Sequence, residues 1–319
     1  MTRLSVAIPV FNEEQVVPEL LQRVGAVLAR LPGGPHELLF VDDGSTDRTL
    51  ELLEAAATED PRIRVVVLSR NFGHQAAFSA ALAHVGGEAV VLMDGDLQDA
   101  PEAIPDFVRQ FEQGFEVVYA RRVRRKENVL LRASYAISYR LIASLSHITL
   151  PVDAGDFALL SRRVVDALNA LPERQRYLRG LRTWIGFRQI GIDVERHERW
   201  AGQSKYSLRQ LAQLAFDGLL AFSVAPLRAA AVLGAFGVTL STLFAVYAVY
   251  VRLASGRSPQ GFTALLVAFT FLSGIQLFFM GVIGEYVGRI YEETKGRPTF
   301  IVARVIEGGS GSSVRSTVP

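Results

Sequence analysis

Short apolar runs alternate with helix-period segments between residues 1 and 120. Runs rich in β-branched residues predict strands at Leu4–Val10, Glu37–Val41, Ile63–Ser69, Ala89–Met93 and Glu116–Tyr119. Because these runs are apolar almost throughout, they indicate a mainly parallel sheet that is covered by helices on both faces. The sequence therefore predicts an α/β domain whose ligands bind where the strands end.

The last third of the chain has a different pattern. No charged residue occurs from Ala229 to Val251 or from Ser258 to Gly284, and each stretch is long enough to cross a bilayer as a helix. Immediately before them, Tyr206–Phe222 places leucines at three- and four-residue spacings, which predicts an amphipathic helix in the membrane interface. An ordinary core helix is the alternative for that segment.

Basic residues are unevenly distributed around the two apolar stretches. The connecting turn has only Arg252 and Arg257, whereas the flanking segments contain Lys205, Arg209, Arg228, Arg289, Lys295, Arg297 and Arg304. Positive charge is retained on the cytoplasmic side of a membrane. We therefore expect a multi-pass protein of the cytoplasmic (inner) membrane, with both termini and the α/β domain in the cytoplasm.

Charge and composition exclude several kinds of site. The formal net charge of +2 gives no indication of a nucleic-acid partner. The basic run from Arg121 to Lys126 is nevertheless dense enough to need an anionic binding partner. The absence of cysteine excludes a disulfide framework, a thiolate nucleophile and a cysteine zinc site.

Two carboxylates follow the fourth predicted strand at a spacing of two residues. Irregular backbone after a strand lets Asp94 and Asp96 reach one ion, and their hard oxygen ligands suit Mg²⁺ or Mn²⁺, which keeps positions open for substrate phosphates. Such pairs also occur in ordinary turns, for solvation or capping. The apolar strand before them and Leu97-Gln98-Asp99 after them favour the metal site.

A second acidic pair follows the second predicted strand. Asp42 and Asp43 precede Gly44-Ser45-Thr46, a turn with a hydroxyl group that can cap the next helix. We expect one residue here to be a cap and a carboxylate of the pair to hydrogen-bond a base or a ribose. No glycine-rich phosphate loop of either common kind is present, which disfavours a Rossmann dehydrogenase and a P-loop NTPase.

Taken together, these motifs resemble the family 2 inverting glycosyltransferases with the GT-A fold. The likeness is greatest to the dolichol-phosphate mannose synthase-like branch, and within it to bacterial two-span polyprenyl-phosphate glycosyltransferases. The segments that carry it, in chain order, are Ile8–Glu14, Val41–Thr49, Ser69–Gln75, Asp94–Asp99, Asp153–Phe157 and Arg199–Tyr206. With the two C-terminal spans, the likeness covers nearly the whole chain.

The resemblance implies roles for individual residues. On the donor side it implies that Asp94 and Asp96 hold a metal on the diphosphate. The residues that would line the nucleotide pocket or lie close to it are Pro9, Phe11, Glu13, Asp42, Asp94 and Gln98. It assigns no role to His74, which we expect to be a solvated residue at a helix start.

Other residues are expected near the reacting centre and the acceptor. Asp156 is similar to the family's active-site carboxylate, so that the expected catalytic residues are Asp156, Asp96, Arg199 and Lys205. The loop containing Arg199, Ser204 and Lys205 is similar to one that closes over phosphates. In the basic stretch after the sheet, we expect Arg121 and Arg132 to contact phosphate or the acceptor.

The resemblance also implies a division of the chain. The expected parts of the chain are a GT-A catalytic domain at 1–205, an amphipathic juxtamembrane helix at 206–225, a two-helix transmembrane hairpin at 226–290 and a cytoplasmic C-terminal tail at 291–319. Small and aromatic residues in the spans could pack between the subunits of a homo-oligomer.

The implied activity is metal-dependent, inverting transfer of a sugar from a nucleotide sugar to polyprenyl phosphate. UDP-glucose is the first candidate donor, ahead of GDP-mannose and UDP-linked amino sugars. The acceptor phosphate is already largely ionised near neutral pH. We therefore expect Asp156 to orient the acceptor or a basic residue more than to accept a proton.

Two other functions are compatible with such a fold. A processive polysaccharide synthase is disfavoured because Gln175 and Trp184 do not form the Gln-x-x-Arg-Trp motif of those enzymes, and because two spans are few for a polymer channel. A non-catalytic membrane scaffold is disfavoured by the intact Asp94/Asp96 pair and by the loop from Arg199 to Lys205.

Overall fold

The computed structural model describes residues 3–123, 154–174, 176–195, 225–255 and 261–309. The described residues belong to two compact units. One contains an eight-stranded sheet with its covering helices, and the chain returns to it from Pro298 onward. The other contains two long helices.

The strands form where the apolar runs predict them. The first four agree with the sequence to within one residue at either end. In chain order the strands are β1 Leu4–Val10, β2 Glu37–Asp42, β3 Ile63–Leu68, β4 Ala89–Leu92, β5 Val117–Val123, β6 Ala154–Ser161, β7 Gln189–Glu195 and β8 Val302–Ile306.

The sheet is mixed, with a parallel centre. Its order is β7-β5-β6-β4-β1-β2-β3-β8. Neighbours within β4-β1-β2-β3 are parallel, whereas β6 runs antiparallel to both β4 and β5, and β8 runs antiparallel to β3. The connections reverse direction between β1 and β4, so that a crevice forms at their carboxyl ends. Because β6 is antiparallel, its first residues lie at that same edge.

Helices cover both faces of the sheet, as the continuous apolar strands predict. The helices of this unit are α1 Val17–Arg30, α2 Thr49–Glu59, α3 His74–His84, α4 Ile104–Glu112, α5 Arg162–Ala170 and α6 Leu178–Trp184. Buried side chains of α1, α2 and α4 form one core cluster with alternate residues of the strands. Helix α3 packs against β1, β2 and β3, and its alanine-rich sequence lets it approach the sheet closely.

Strand β8 was not anticipated, because the sequence indicated only a tail after the second apolar stretch. It pairs with β3, and two ion pairs tie this segment to the rest of the unit. Arg64 donates from Nε to Glu307 at 2.8 Å, and Arg304 binds Glu54. Residues before and after the two long helices therefore belong to one sheet.

The second unit contains helices α7 Ala225–Ser255 and α8 Phe262–Thr294. By length and composition, Ala230–Val251 and Phe271–Thr294 can each cross a membrane. Large apolar side chains are exposed along both helices, among them Phe236, Phe244 and Phe278. The predicted interfacial helix at Tyr206–Phe222 lies outside the described residues.

Candidate active site

The loops after β1 and β2 are joined by hydrogen bonds between backbone N–H groups and side chains. Asn12 N–H donates to Ser45 Oγ at 3.0 Å, and the Asn12 side-chain oxygen accepts from Thr46 N–H at 2.8 Å. Glu13 N–H donates to Thr49 Oγ1 at 2.8 Å. Asn12 has a positive φ of 55°, a conformation that asparagine tolerates better than most residues. These bonds hold Asn12 and Glu13 against the segment that follows β2.

Asp42 and Asp43 have different environments although they are adjacent. Asp43 accepts from Phe72 N–H at 2.7 Å and from Gly73 N–H at 2.9 Å, which holds the loop before α3. Asp42 accepts from Ser45 N–H with one oxygen, while its buried Oδ1 has no hydrogen bond within the described residues. The hydroxyl groups of Ser45 and Thr46 bond Asn12 and do not cap α2, whose first N–H, that of Thr49, donates to Asp47 Oδ1 at 3.0 Å.

Gly44 makes the close packing of this turn possible. Its φ is +74°, and a Cβ there would lie 2.7 Å from the backbone carbon of Arg70. Any other residue would push the loops after β2 and β3 apart. Burial raises the pKa values of Asp42 and Asp43 above the ordinary value, despite the hydrogen bonds they accept.

The turn Asp94-Gly95-Asp96 follows β4 and lies against the end of β1. A Cβ on Gly95 would lie 2.9 Å from the carbonyl oxygen of Pro9, so only glycine permits this approach. The buried Leu97 has a positive φ of 55°, a strained conformation for leucine. The turn is closed by Gln98 N–H, which donates to Asp96 Oδ1 at 3.1 Å.

Asp94 faces a histidine for which the sequence analysis predicted no role in the site. His74 begins α3 as expected, but its Nε2 lies 3.1 Å from Asp94 Oδ1. That oxygen is buried and makes no aligned hydrogen bond within the described residues. One ligand atom from each of His74, Asp94 and Asp156 lies within 4.8 Å of the others, a spacing compatible with a metal ion.

The His74 ring is fixed by its surroundings. It packs edge-on against Phe78, with the ring centroids 4.7 Å apart. Burial by itself lowers the pKa of His74, but contact with Asp94 and the charges of Asp94, Asp156 and Asp96 raise it above the ordinary value. The ring therefore belongs to the same electrostatic cluster as the carboxylates.

Asp156, near the start of β6, is bound by an arginine of α6. Arg179 donates from Nη2 to Asp156 Oδ2 at 2.7 Å and from Nε to Oδ1 at 3.3 Å. Burial raises the pKa of Asp156, but the charge and hydrogen bonds of Arg179 outweigh it and hold the pKa below its usual range. Asp156 is therefore an ionised carboxylate with both oxygens in contact with a guanidinium group.

A second arginine lies behind this pair. Arg182 is only 3% exposed and donates to the Gly155 carbonyl at 3.4 Å. Its Nε makes no hydrogen bond within the described residues, and burial lowers its pKa to about 10. Its guanidinium carbon lies 5.1 Å from the centre of the Tyr119 ring.

Most sequence-predicted residues that the structure describes lie at one edge of the sheet. Pro9 and Asp42 are at the ends of β1 and β2, and Phe11, Glu13, Asp94, Asp96 and Gln98 lie in the loops after β1 and β4. Arg121 is near the end of β5, where it forms an exposed ion pair with Asp193 of β7. Arg132, Arg199, Ser204 and Lys205 lie outside the described residues.

Three residues of the site were missed by the sequence analysis. His74 follows Gly73 in the loop after β3, and this place at the ligand-binding edge was the signal available for it. For Arg179 and Arg182 the only signal was a three-residue spacing on a short helix. Neither arginine carries a local motif, and the contact with Asp156 depends on how α6 packs on β6.

Comparison with known proteins agrees with this arrangement. Residues 5–168 match the profile described as "Glycosyl transferase family 2". An uncharacterized glycosyltransferase, YkcC, of Bacillus subtilis is 40% identical over 301 residues, which cover 94% of this chain and 93% of the relative. A prophage-derived bactoprenol glucosyl transferase of Shigella flexneri is 36% identical over 303 residues, or 95% of this chain and 98% of the relative.

Solved structures share the fold. The glucosyl-3-phosphoglycerate synthase of Mycobacterium tuberculosis, in complex with Mn²⁺, UDP and glucosyl-3-phosphoglycerate, superposes with a TM-score of 0.52 at 20% identity. The match covers 69% of this chain and 78% of that one. The sheet therefore has the GT-A architecture that the sequence predicted, and the chain belongs to glycosyl transferase family 2.

Proposed function

We propose that this protein transfers a sugar from a nucleotide sugar to the phosphate of a polyprenyl lipid. One observation carries the proposal. The edge of the sheet holds two buried carboxylate oxygens on one side, Asp42 Oδ1 without a hydrogen bond in the described chain and Asp94 Oδ1 in contact with His74, and the Asp156–Arg179 pair on the other. The names of full-length relatives, which are bactoprenol glucosyl transferases, support the lipid acceptor.

The nucleotide would bind between the loops after β1 and β2. Asp42 Oδ1 can accept an N–H group of the base or a hydroxyl of the ribose, which would satisfy its buried oxygen. Phe11, in the loop after β1, is 43% exposed and presents a ring on which a base can stack. UDP-glucose remains the first candidate donor, with GDP-mannose and UDP-linked amino sugars as alternatives.

The carboxylates after β4 fit a divalent cation. Asp94 supplies a buried oxygen without an aligned hydrogen bond, and Asp96 lies two residues away in the same turn. His74 offers a further ligand atom within reach, whereas both oxygens of the nearby Asp156 are bound to Arg179. Bound Mg²⁺ or Mn²⁺ would offset the charge of the donor diphosphate.

In the proposed reaction, an oxygen of the lipid phosphate attacks the anomeric carbon from the face opposite the nucleoside diphosphate. The bond from that carbon to the diphosphate breaks, and its electron pair leaves with the diphosphate. The acceptor phosphate is already largely ionised, with a second pKa of about 6, so no side chain must remove a proton. The pairing of Asp156 with Arg179 supports an orienting role for this carboxylate.

Strand β8 supports a particular membrane topology. Since β8 and β3 share one sheet, the chain before α7 and after α8 must be on the same side of any membrane that both helices cross. The distribution of basic residues favours the cytoplasmic side, where nucleotide sugars are made. Single cysteines in this cysteine-free chain test the topology. Cysteine at Ser255 should react with an impermeant thiol reagent outside intact cells, and cysteine at Ser310 should not.

A transfer assay tests the activity. The full chain in detergent is incubated with undecaprenyl phosphate, Mn²⁺ and radiolabelled UDP-glucose, GDP-mannose or UDP-N-acetylglucosamine. We expect one donor to label a lipid-extractable product that carries a single sugar. A labelled polymer would instead indicate a processive synthase. No labelled lipid with any donor would contradict the proposal.

A further inference from the structure

The charges of Asp156 and the two arginines near it are not balanced. Arg179 and Arg182 both contribute to the electrostatics of one carboxylate, which leaves an excess of one positive charge. All three side chains line a small pocket whose walls are apolar, including Phe78, Leu160 and Leu168. Charges in such surroundings are poorly screened, and an uncompensated one is costly.

The nearby charges do not remove this imbalance. His74, whose Nε2 lies 3.1 Å from Asp94 Oδ1, supplies no negative charge in either of its protonation states. Asp94 and Asp96 are negative, but they would be matched by the cation proposed at the turn after β4. Within the described residues, the excess positive charge beside Asp156 is therefore best satisfied by an anion from a substrate.

Arginine has the geometry for that anion. A guanidinium group binds a carboxylate and a phosphate with the same fork of parallel N–H donors. Arg179 uses the fork of Nε and Nη2 for Asp156, which fixes the plane of the group at the ligand-binding edge, so a phosphate would bind at the other fork, formed by Nη1 and the second N–H of Nη2. Arg182 lies behind, so its charge helps to keep Asp156 ionised.

We propose that Arg179 binds a phosphate oxygen of a substrate and that Asp156 is a positioning residue that holds its guanidinium group in place. The inference rests on the proposed function, which brings two anions to this edge. They are the diphosphate of the donor and the phosphate of the lipid. Both offer the same ligand chemistry, so the experiment must distinguish them.

Two measurements on the full chain in detergent distinguish these sources. The first is the Kd of UDP in the presence of Mn²⁺, obtained by calorimetry. The second is the KM for farnesyl phosphate, a short polyprenyl phosphate, at saturating donor. Arg179→Gln should weaken one of them by about 10- to 100-fold, because a charged hydrogen-bonded contact is lost. Arg179→Lys, which keeps the charge without the fork, should fall between Arg179→Gln and the wild type.

Asp156→Asn separates positioning from proton transfer. If Asp156 holds Arg179, this variant should weaken the same constant, and the double variant should be no weaker than the worse single one. A general base would give another result. Asp156→Asn would then lower kcat, leave both constants unchanged, and add its full effect to that of Arg179→Gln, which would overturn the proposal.

Arg62→Gln provides a matched control. Arg62 binds Asp60 through a similar fork, with Nη2 2.7 Å from Oδ2, but it lies before β3 at the opposite edge of the sheet. This variant should leave both constants within about twofold of the wild type. If Arg179→Gln does not fold, Arg179→Lys carries the test.

Wild-type constants in folded Arg179 variants would overturn the inference. The UDP measurement requires no transfer to lipid. An inactive wild-type protein would therefore contradict the proposed function, while a normal UDP affinity in both Arg179 variants would exclude the donor as the bound anion. If the wild-type protein is inactive, only the UDP measurement remains. Arg179→Gln must then weaken UDP binding, and an unchanged Kd would contradict the inference as well.

Discussion

The two sides of the candidate site satisfy their charged groups in different ways. On the side of β1 and β2, Asp43 accepts two backbone N–H groups, and Asp42 keeps a buried oxygen without a hydrogen bond in the described chain. On the side of β6, Asp156 and Arg179 bind each other. The side of β1 and β2 thus has a buried acceptor oxygen without a hydrogen bond in the described chain, whereas the carboxylate on the side of β6 is paired with an arginine.

The pKa shifts reflect this difference. Burial raises the pKa values of Asp42 and Asp43, and their hydrogen bonds do not offset it. Burial also raises the pKa of Asp156, but Arg179 reverses the shift. The ionised carboxylates of the first side therefore cost stability until a ligand contacts them, whereas the carboxylate of the second is already stabilised. Burial alone does not determine whether the pKa of a carboxylate in the site is raised or lowered, because the direction of the shift also depends on the groups that contact it.

The largest effect is expected for Asp94→Asn, which removes a proposed metal ligand from the turn after β4 with almost no change in side-chain volume. Loss of several kcal/mol of charge stabilisation corresponds to a fall in kcat of about 10³-fold or more. Transfer rates and Mn²⁺ affinity by electron paramagnetic resonance should both decline. Asp106→Asn, at an exposed aspartate paired with Arg109 on α4, should change neither.

Removal of the metal should reproduce this result in the wild-type protein. A chelator should abolish transfer, and added Mn²⁺ should restore it. Full activity in the presence of excess chelator would contradict the metal-dependent mechanism, although it would leave the Arg179 inference untouched.

A smaller effect is expected at the adjacent acidic pair, where the same substitution should have different consequences. Asp42→Asn presents an NH₂ group where an acceptor is needed, so it should weaken UDP binding by about tenfold or more. Asp43→Asn leaves Phe72 N–H or Gly73 N–H without a full acceptor, so it should lower the free energy of unfolding by about 1–2 kcal/mol. Calorimetry and chemical denaturation measure the two effects, and equal effects would remove the distinction.

The pH dependence at Asp42 has a definite sign. Its pKa is raised in the folded state, so the unfolded chain ionises first as the pH rises. Its contribution to stability is present below the unfolded pKa of about 3.9 and is lost as the pH rises through the folded pKa. Asp42→Asn should therefore have a higher unfolding midpoint than the wild type at pH 7, while the two converge in acid.

How well the sequence predicted these features depended on how far apart in the sequence the contacting residues lie. The first four strands and the loops after them were predicted, because each apolar run was readily interpreted as a strand. The candidate site residues follow those runs directly in the sequence. Strand β8 was missed because Val302–Ile306 is short, contains an arginine, and pairs with a strand more than two hundred residues away. His74 and Arg179 were missed for a similar reason, since their partners Asp94 and Asp156 are distant in sequence.

A third, smaller effect is expected at Arg182, on the side of β6. Its pKa is lowered to about 10, so the charged form is disfavoured by folding at neutral pH. Arg182→Met fills a similar volume without charge and should raise the unfolding free energy by about 1 kcal/mol. Addition of UDP with Mn²⁺ or of farnesyl phosphate should then stabilise the variant less than the wild type. A destabilised variant would show that the Gly155 bond and the Tyr119 contact outweigh the charge.

The smallest effect is expected for Arg121, which lies at the same edge but is exposed. Its ion pair with Asp193 is open to solvent, whereas Arg179 and Asp156 are both mostly buried. Exposed charges interact weakly and are screened by salt over a few ångströms at high ionic strength. Arg121→Gln should therefore raise the KM for farnesyl phosphate by only about twofold at low salt, and the difference should disappear in about 0.5 M NaCl.

Asp193→Asn sharpens this comparison, because it releases Arg121 from its carboxylate and should lower the same KM slightly. The effect of Arg179→Gln should persist at high salt, since salt does not screen a half-buried contact to the same extent. If both arginine variants lost their effects equally in salt, Arg179 would act only through the general positive potential of this edge. Persistence of the Arg179 effect alone would establish that a direct contact, held by Asp156, distinguishes the buried arginine from the exposed one.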